Sequence, residues 1–252
     1  MPGVCLITGG ARGIGAATAR LVAKDGMAVG IGYRDRSDAA EALTAEITAK
    51  GGKAVPVKGD VASEADIIAL FDATEKALGP VDHLVNSAGI SVKSKVGDFK
   101  AADLERLMAV NVVGLILCCR EAARRMPKTG GAIVNVSSMA VAIGGRAGAS
   151  AYAASKAAVD CFTTGFAKEV ADQGIRVNAV RPGMVRTDMT AGLLSDPAVD
   201  AKLAATIPMN RIADASEIAQ AIRWLLSPAA SFISGAHLDA SGGGFIVGER
   251  TI

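Results

Sequence analysis

The sequence predicts an α/β fold: one domain over residues 1–252, built as a doubly wound parallel sheet with helices on both faces. Three observations carry this. Short apolar runs alternate with stretches of helical periodicity along the whole chain. The runs are apolar at successive positions, as in strands covered on both faces, and they end in small or polar residues. No repeat, linker or low-complexity stretch breaks the alternation.

The first run, Val4-Cys5-Leu6-Ile7, passes through Thr8-Gly9-Gly10-Ala11-Arg12-Gly13-Ile14-Gly15 into a helical repeat of Ala16, Ala19, Leu21 and Val22. Strand, glycine turn and helix in that order aim unpaired N–H groups and the positive end of the helix dipole at the turn, which suits a phosphate. Glycines let the backbone approach the anion and let the helix pack close to the sheet. The spacing is GxxxGxG rather than GxGxxG, and a mere tight connection is the bland alternative. The second run, Met27-Ala28-Val29-Gly30-Ile31, ends in Tyr33-Arg34-Asp35-Arg36. In a dinucleotide fold this strand end faces the adenosine ribose, where an acid accepts from a 2'-hydroxyl and an arginine pairs with a 2'-phosphate. Arg34, with Arg36 and Arg12 converging on one phosphate, favours NADP(H). Asp35 keeps NAD(H) as the alternative.

A repeat through Ala39, Leu43 and Ile47 stops at Gly51-Gly52, and a third run, Ala54-Val55-Pro56-Val57, leads to Gly59-Asp60-Val61. Asp60 has two readings: an acceptor for the adenine amino group, or the start of the turn before a Ser63 N-cap. A helix over Glu64 to Leu78 precedes His83-Leu84-Val85, which terminates in Asn86-Ser87-Ala88-Gly89. After a loop from Ile90 to Asp98, a long helix is expected over about Ala102 to Met126, apolar on all sides from Val110 to Cys119. An apolar outer side on a helix that lies on a sheet means that something else covers it. The same pattern returns in Ala157, Ala158, Val159, Cys161, Phe162 and Phe166, and the two together predict a subunit interface. Asn111 is a polar residue in these apolar surroundings and needs partners. A backbone carbonyl, a water in a proton relay and a helix kink are all open to it.

The fifth run, Ala132-Ile133-Val134-Asn135-Val136, ends in Ser137-Ser138, and a loop with Gly144, Gly145 and Gly148 returns to a helix carrying Tyr152 and Lys156. Four apart on a helix, these two share a face. A phenol titrating near ~10 is a poor acid at neutral pH, and a nearby ammonium helps by stabilising its phenolate. Chance places such pairs on many solvated helices; the phosphate turn gives this one something to act beside. The sixth run, Ile175 to Val180, is followed by Arg181-Pro182-Gly183-Met184-Val185-Arg186-Thr187, which places Thr187 to bond a nicotinamide amide or a phosphate. Residues 188–208 have weak periodicity and read as a movable lid or substrate pocket. Ser216 to Leu226 is the last helix, and His237-Leu238-Asp239 an edge strand.

Composition narrows the partners. With 27 basic and 25 acidic residues and a formal charge of +2, neither nucleic acid nor an anionic membrane is expected as partner. The densest basic run, Arg120, Arg124, Arg125 and Lys128, reads as a solvated face. Four cysteines without CxxC spacing suggest neither zinc nor a disulfide framework, and free thiols fit a cytoplasmic setting. His83 and His237 lie far apart in sequence, so no metal is expected. No leader pattern opens the chain, and Val110 to Cys119 is too short to span a bilayer.

In their order, the Thr8–Gly15 turn, Asp60, Asn86-Ser87-Ala88-Gly89, Asn111, Ser138, Tyr152 with Lys156, and Pro182-Gly183 with Thr187 resemble the short-chain dehydrogenase/reductase family. The likeness is to members related to 3-oxoacyl-carrier-protein reductases and bacterial glucose 1-dehydrogenases. It implies a Rossmann-type fold and hydride transfer between nicotinamide C4 and a carbonyl or secondary alcohol carbon of a small molecule. Tyr152 would be the acid in reduction and the base in oxidation, and Lys156 would lower its pKa and hold the nicotinamide ribose. Ser138 would bond the substrate oxygen, and Asn111 would organise the water chain that reprotonates Tyr152. The cofactor would be held by Gly9, Arg12, Gly13, Ile14, Gly15, Tyr33, Arg34, Asp60, Val61, Asn86, Ala88, Gly89, Tyr152, Lys156, Pro182, Gly183, Val185 and Thr187. A homotetramer is implied, with a dimer as the alternative. Two departures stand: Ser87 replaces a second Asn, and the fourteen positions from Ser138 to Tyr152 slightly exceed the commonest spacing. A non-catalytic NADP(H)-binding regulatory or scaffold protein is the alternative function, and a binder needs no phenol acid.

Overall fold

The structure, a computed structural model, describes residues 3–244, so both ends of the expected 1–252 unit lie outside the described residues. Strand β1 (Val4–Thr8) is buried at every position, and its side chains divide between two cores. Cys5 and Ile7 join one cluster and Val4 and Leu6 the other, the two-residue alternation of a pleated strand. Helix α1 (Gly13–Lys24), β2 (Ala28–Tyr33), α2 (Ser37–Ala49) and β3 (Lys53–Lys58) follow. Helix α3 (Glu64–Leu78) begins at the expected N-cap, with Ser63 Oγ accepting from the Asp66 N–H at 3.3 Å. Next comes β4 (His83–Asn86).

The long helix expected over 102–126 is not one α-helix. It runs as α4 (Ala101–Met108), a π-helical stretch over Ala109–Gly114 and α5 (Leu115–Arg125). Two close fits coincide with the widened turn. Asn111 is directed inward, fully buried, and Gly114 lies so near Val61 that a Cβ would meet its carbonyl oxygen at 2.2 Å. Widened turns of this kind cluster at functional sites. Hydrophobic spacing does not register one extra residue in a turn, which is why the sequence reads as continuous helix. The basic run on α5 also differs in part from expectation. Arg120 pairs with Glu64 and Glu121, and Arg125, only 22% exposed, with Asp72, Glu75 and Glu121. These ion pairs fasten α5 to α3, while Arg124, 69% exposed, and exposed Lys128 keep the expected solvated face.

Strand β5 (Gly131–Val136), α6 (Ala140–Ile143), α7 (Ser150–Glu169) and β6 (Ile175–Pro182) complete the framework of the site. Beyond them lie β7 (Val185–Arg186), α8 (Asp188–Ala191), α9 (Pro197–Ala205), β8 (Ala213–Asp214), α10 (Ala215–Leu226) and β9 (His237–Ala240). Among the described residues, seven strands form one parallel sheet in the order β3-β2-β1-β4-β5-β6-β9, with β9 at the edge as expected. One core lies under α1, α2 and α10, the other under α3, α5 and α7. The order reverses between β1 and β4, and ligands of such sheets sit outside the strand carboxyl ends at that reversal. Register brings those ends level, pairing Thr8 with Asn86, Asn86 with Asn135 and Val136 with Val180. Residues 188–208 contain α8 and α9 and share a small apolar cluster of Leu203, Ile207 and Ile212 with Met184, Leu193 and Leu194. No described helix is long and apolar enough to cross a membrane.

Candidate active site

A cavity of about 270 Å³ opens at the carboxyl ends of β1, β2, β3 and β4. Its walls include Gly9, Arg12, Gly13, Ile14, Tyr33, Arg34, Asp60, Val61, Ala88, Gly89 and Thr187, and also Asp35, Arg36, Arg106, Val136, Asp188 and Met189. The glycines make its floor. At Gly9, φ +62°, a Cβ would lie 2.8 Å from the Ala88 backbone, and at Gly13, φ +51°, it would press on Thr187. Only a residue without a Cβ leaves that room in front of α1. Gly15 serves packing, since a Cβ there would meet the Gly9 carbonyl oxygen at 2.3 Å.

The acidic and basic residues at the cavity are already paired. Arg34 is bound to the Asp35 carboxylate, with Nε to Oδ2 at 2.6 Å, and Arg36 to Asp38. Arg12 reaches Asp188 at 2.7 Å. Exposed pairs of this kind are worth only about 0–1 kcal/mol, so a doubly charged phosphate can take the arginines from them. Asp60 takes the turn role, with Oδ1 accepting from the Ala62 N–H at 2.9 Å, while Oδ2 accepts from Arg106 at 2.7 Å and the residue also lines the cavity.

Behind the β5 side of the cavity, where Val136 lines it, lie Ser138, Tyr152 and Lys156. Ser138 acts on Tyr152 to lower its pKa, and its Oγ accepts from the Ala140 N–H at 3.1 Å. Ser137 is buried the other way, with its Oγ donating to the Lys156 carbonyl at 3.3 Å. Lys156 Nζ donates to the Val136 carbonyl at 2.7 Å and lies 5.9 Å from the centre of the Tyr152 ring. Gly89 joins this group to the cavity. A Cβ there would stand 3.5 Å from Asn111 Oδ1 and 3.6 Å from Lys156 Nζ. Burial raises the Tyr152 pKa above its ordinary value, and Ser138 draws it back. Burial brings the Lys156 ammonium down to about 8, against the charge of Asp160.

Asn111 takes the backbone option. Its Oδ1 accepts from the Ile90 N–H at 2.9 Å, while Nδ2 donates to the Ile90 carbonyl and to Ser155 Oγ, each at 3.0 Å. Ser155 in turn donates to the Tyr152 carbonyl at 2.7 Å, so Asn111 ties the loop after β4 to the helix of Tyr152. Sequence reasoning missed Ser155, Arg106 and Asp160. Ser155 stands three residues after Tyr152, a spacing that could have marked it.

Several expected cofactor residues sit behind the cavity walls. Asn86 is buried with Nδ2 donating to Asn135 Oδ1 at 2.9 Å and to Cys119 Sγ. Pro182 accepts from the Met139 N–H at 2.9 Å, Gly183 donates to the Ala240 carbonyl at 3.0 Å, and Val185 pairs with Ala213. A wider groove at the amino ends of the strands, edged by Arg20, Lys24 and Lys53, is remote from Tyr152.

Comparison with known proteins gives this geometry a family. Residues 9–244 match the family model described as enoyl-(acyl carrier protein) reductase. The chain is a short-chain dehydrogenase/reductase. A described-as-uncharacterized oxidoreductase of Escherichia coli (strain K12) is 44% identical, over 95% of this chain and 99% of that one. A 3-oxoacyl-[acyl-carrier-protein] reductase of Synechocystis sp. is 38% identical, over 95% and 96%. Among solved structures, a blue fluorescent protein from a metagenomic library, in complex with NADPH, superposes with a TM-score of 0.89 at 35% identity, covering 96% of this chain and 97% of that one. Like other short-chain dehydrogenases and reductases, the protein is an oxidoreductase of carbonyl and CH–OH groups on a Rossmann-type parallel sheet with a nicotinamide site.

Proposed function

We propose that this protein is an NADPH-dependent carbonyl reductase, reversibly an alcohol dehydrogenase, working through Ser138, Tyr152, Lys156 and Asn111. The observation that carries this is buried Lys156 held 5.9 Å from the Tyr152 ring and joined through Gly89 to a cavity floored by Gly9 and Gly13. A nicotinamide bound there supplies the hydride. Ser138 orients the substrate oxygen, and Tyr152 delivers a proton to that oxygen as charge develops on it. Lys156, held by the Val136 carbonyl, stabilises the phenolate left behind. Asn111 fixes the Tyr152 helix against the loop after β4.

The glycine turn suits the cofactor's phosphates, and Arg34 with Arg12 at the cavity wall supports a 2'-phosphate, in keeping with the NADPH complex of the structural neighbour. Ketones and 3-oxoacyl thioesters are the substrate class, by analogy with the Synechocystis reductase. Residues 188–208 close over the substrate as a lid, and the outer faces of α4–α5 and α7 join copies into a tetramer. A panel of ketones, quinones and 3-oxoacyl thioesters, each with NADPH and NADH, tests the reading. At least one should consume NADPH. Tyr152→Phe should lower that turnover by about 10²- to 10⁴-fold, the contribution of a general acid, with NADPH affinity retained. Full turnover in that variant would remove Tyr152 from the role.

A further inference from the structure

One turn beyond Lys156 on α7 stands Asp160, also 4% exposed, on the same helix face. Its two carboxylate oxygens have different surroundings. Oδ2 accepts from Arg181 Nε of β6 at 2.8 Å, whereas Oδ1 is buried and accepts no hydrogen bond. Buried carboxylate oxygens are ordinarily satisfied, because an unmet acceptor costs free energy. Arg181 is moreover shared. Its NH1 lies 3.6 Å from Asp239 Oδ1, its direct neighbour across the β6–β9 pairing. Asp160 is therefore incompletely compensated by Arg181.

Lys156 has the complementary deficiency. Its ammonium is out of water and donates to a neutral carbonyl of β5. The charged and titratable groups around the two can be named. On α7 they are Tyr152 and Asp160; from β6 comes Arg181; from β9 come Asp239 behind it and His237, whose Nε2 is 3.0 Å from the Asp160 backbone oxygen. The π-helical stretch contributes neutral Asn111, and β5 a backbone carbonyl. Among these, Asp160 is the negative charge that acts on Lys156.

We propose that Asp160 is a positioning residue of the proton-transfer site: its carboxylate keeps Lys156 charged inside the protein, and Arg181 sets how much of that negative charge Lys156 feels. This rests on the roles of Tyr152 and Lys156 given above and adds a tuning pair behind them. Removing the carboxylate favours proton loss from the Tyr152–Lys156 pair at whichever member it occurs, so the fully protonated, reducing form is lost at lower pH. Removing the arginine acts in the opposite direction.

The test is the pH dependence of kcat/KM for NADPH-driven reduction of a 3-oxoacyl thioester or ketone accepted in the panel. Asp160→Asn should move the alkaline limb down by about one unit, the size of effect expected from one nearby charge. Asp160→Glu should return it toward wild type, and Arg181→Met should move it up. A merely structural role would lower the rate at every pH without opposite displacements. A limb that stays in place in Asp160→Asn, or moves the same way in Asp160→Asn and Arg181→Met, overturns the proposal. Should Asp160→Asn fail to fold, Arg181→Met decides alone: an upward limb supports the proposal, and an unmoved or lowered one ends it. Tyr152→Phe separates the two readings. If it keeps turnover, the site assignment fails; if it is inactive while the Asp160→Asn limb is unmoved, only the role of Asp160 fails.

Discussion

In the proposed function, cofactor choice turns on single residues at the end of β2. Arg34 lines the cavity but is bound to its neighbour Asp35, with both side chains half exposed. A pair so open to water is weak, and a 2'-phosphate offers the guanidinium more charge than one carboxylate does. Arg34→Ala should therefore weaken NADPH binding by roughly tenfold to a hundredfold, the loss of one charge-assisted contact, and leave NADH nearly unchanged. Fluorescence titration with both cofactors measures it, and equal losses would remove the argument. Arg34 and Asp35 were both legible in the sequence; their mutual ion pair was not, because spacing along a strand end does not say which way two long side chains turn. Asp160 was invisible for a related reason. Its meaning depends on Arg181, 21 residues away and on a strand rather than on its own helix.

At the scale of elements, strand ends, the glycine turn and the helix with Tyr152 follow from periodicity and punctuation, and they stand where the sequence places them. The turn is the most constrained of them. Gly9 combines a left-handed backbone with a 2.8 Å approach to Ala88, so Gly9→Ala should cost about 2 kcal/mol from backbone strain and overpacking. Thermal unfolding should show a Tm lower by roughly 4–8 °C, together with weakened NADPH binding. An unchanged Tm would mean that the turn shifts freely. The widened turn at Asn111 escaped the sequence reading, although Asn111 itself did not. A buried amide announces that it needs partners; only the fold shows that they are the two backbone groups of Ile90 and the hydroxyl of Ser155.

At the scale of the whole molecule, the order of strands and helices was legible because a parallel sheet covered on both sides leaves so plain a pattern. The faces left over are equally informative. Met108 and Val113 on the segment from α4 to α5 are 40% and 52% exposed, and the stacked Phe162 and Phe166 lie on α7. Apolar groups in that arrangement fit a subunit contact. Val113→Glu should shift the assembly toward smaller species by light scattering with the monomer fold intact by circular dichroism. A wild-type protein that runs as a monomer at all concentrations would exclude the assembly.

The π-helical stretch also changes the phase of everything after it. Each residue of an α-helix advances about 100° around the axis, so one additional residue in the turn swings α5 by that angle relative to a helix continued straight from α4. The seam that α5 lays on α3 is thus offset from the seam that α4 presents. The six residues Ala109–Gly114 act as a gear with one extra tooth. Deleting a single residue there would leave both helices able to form and neither facing its proper neighbour.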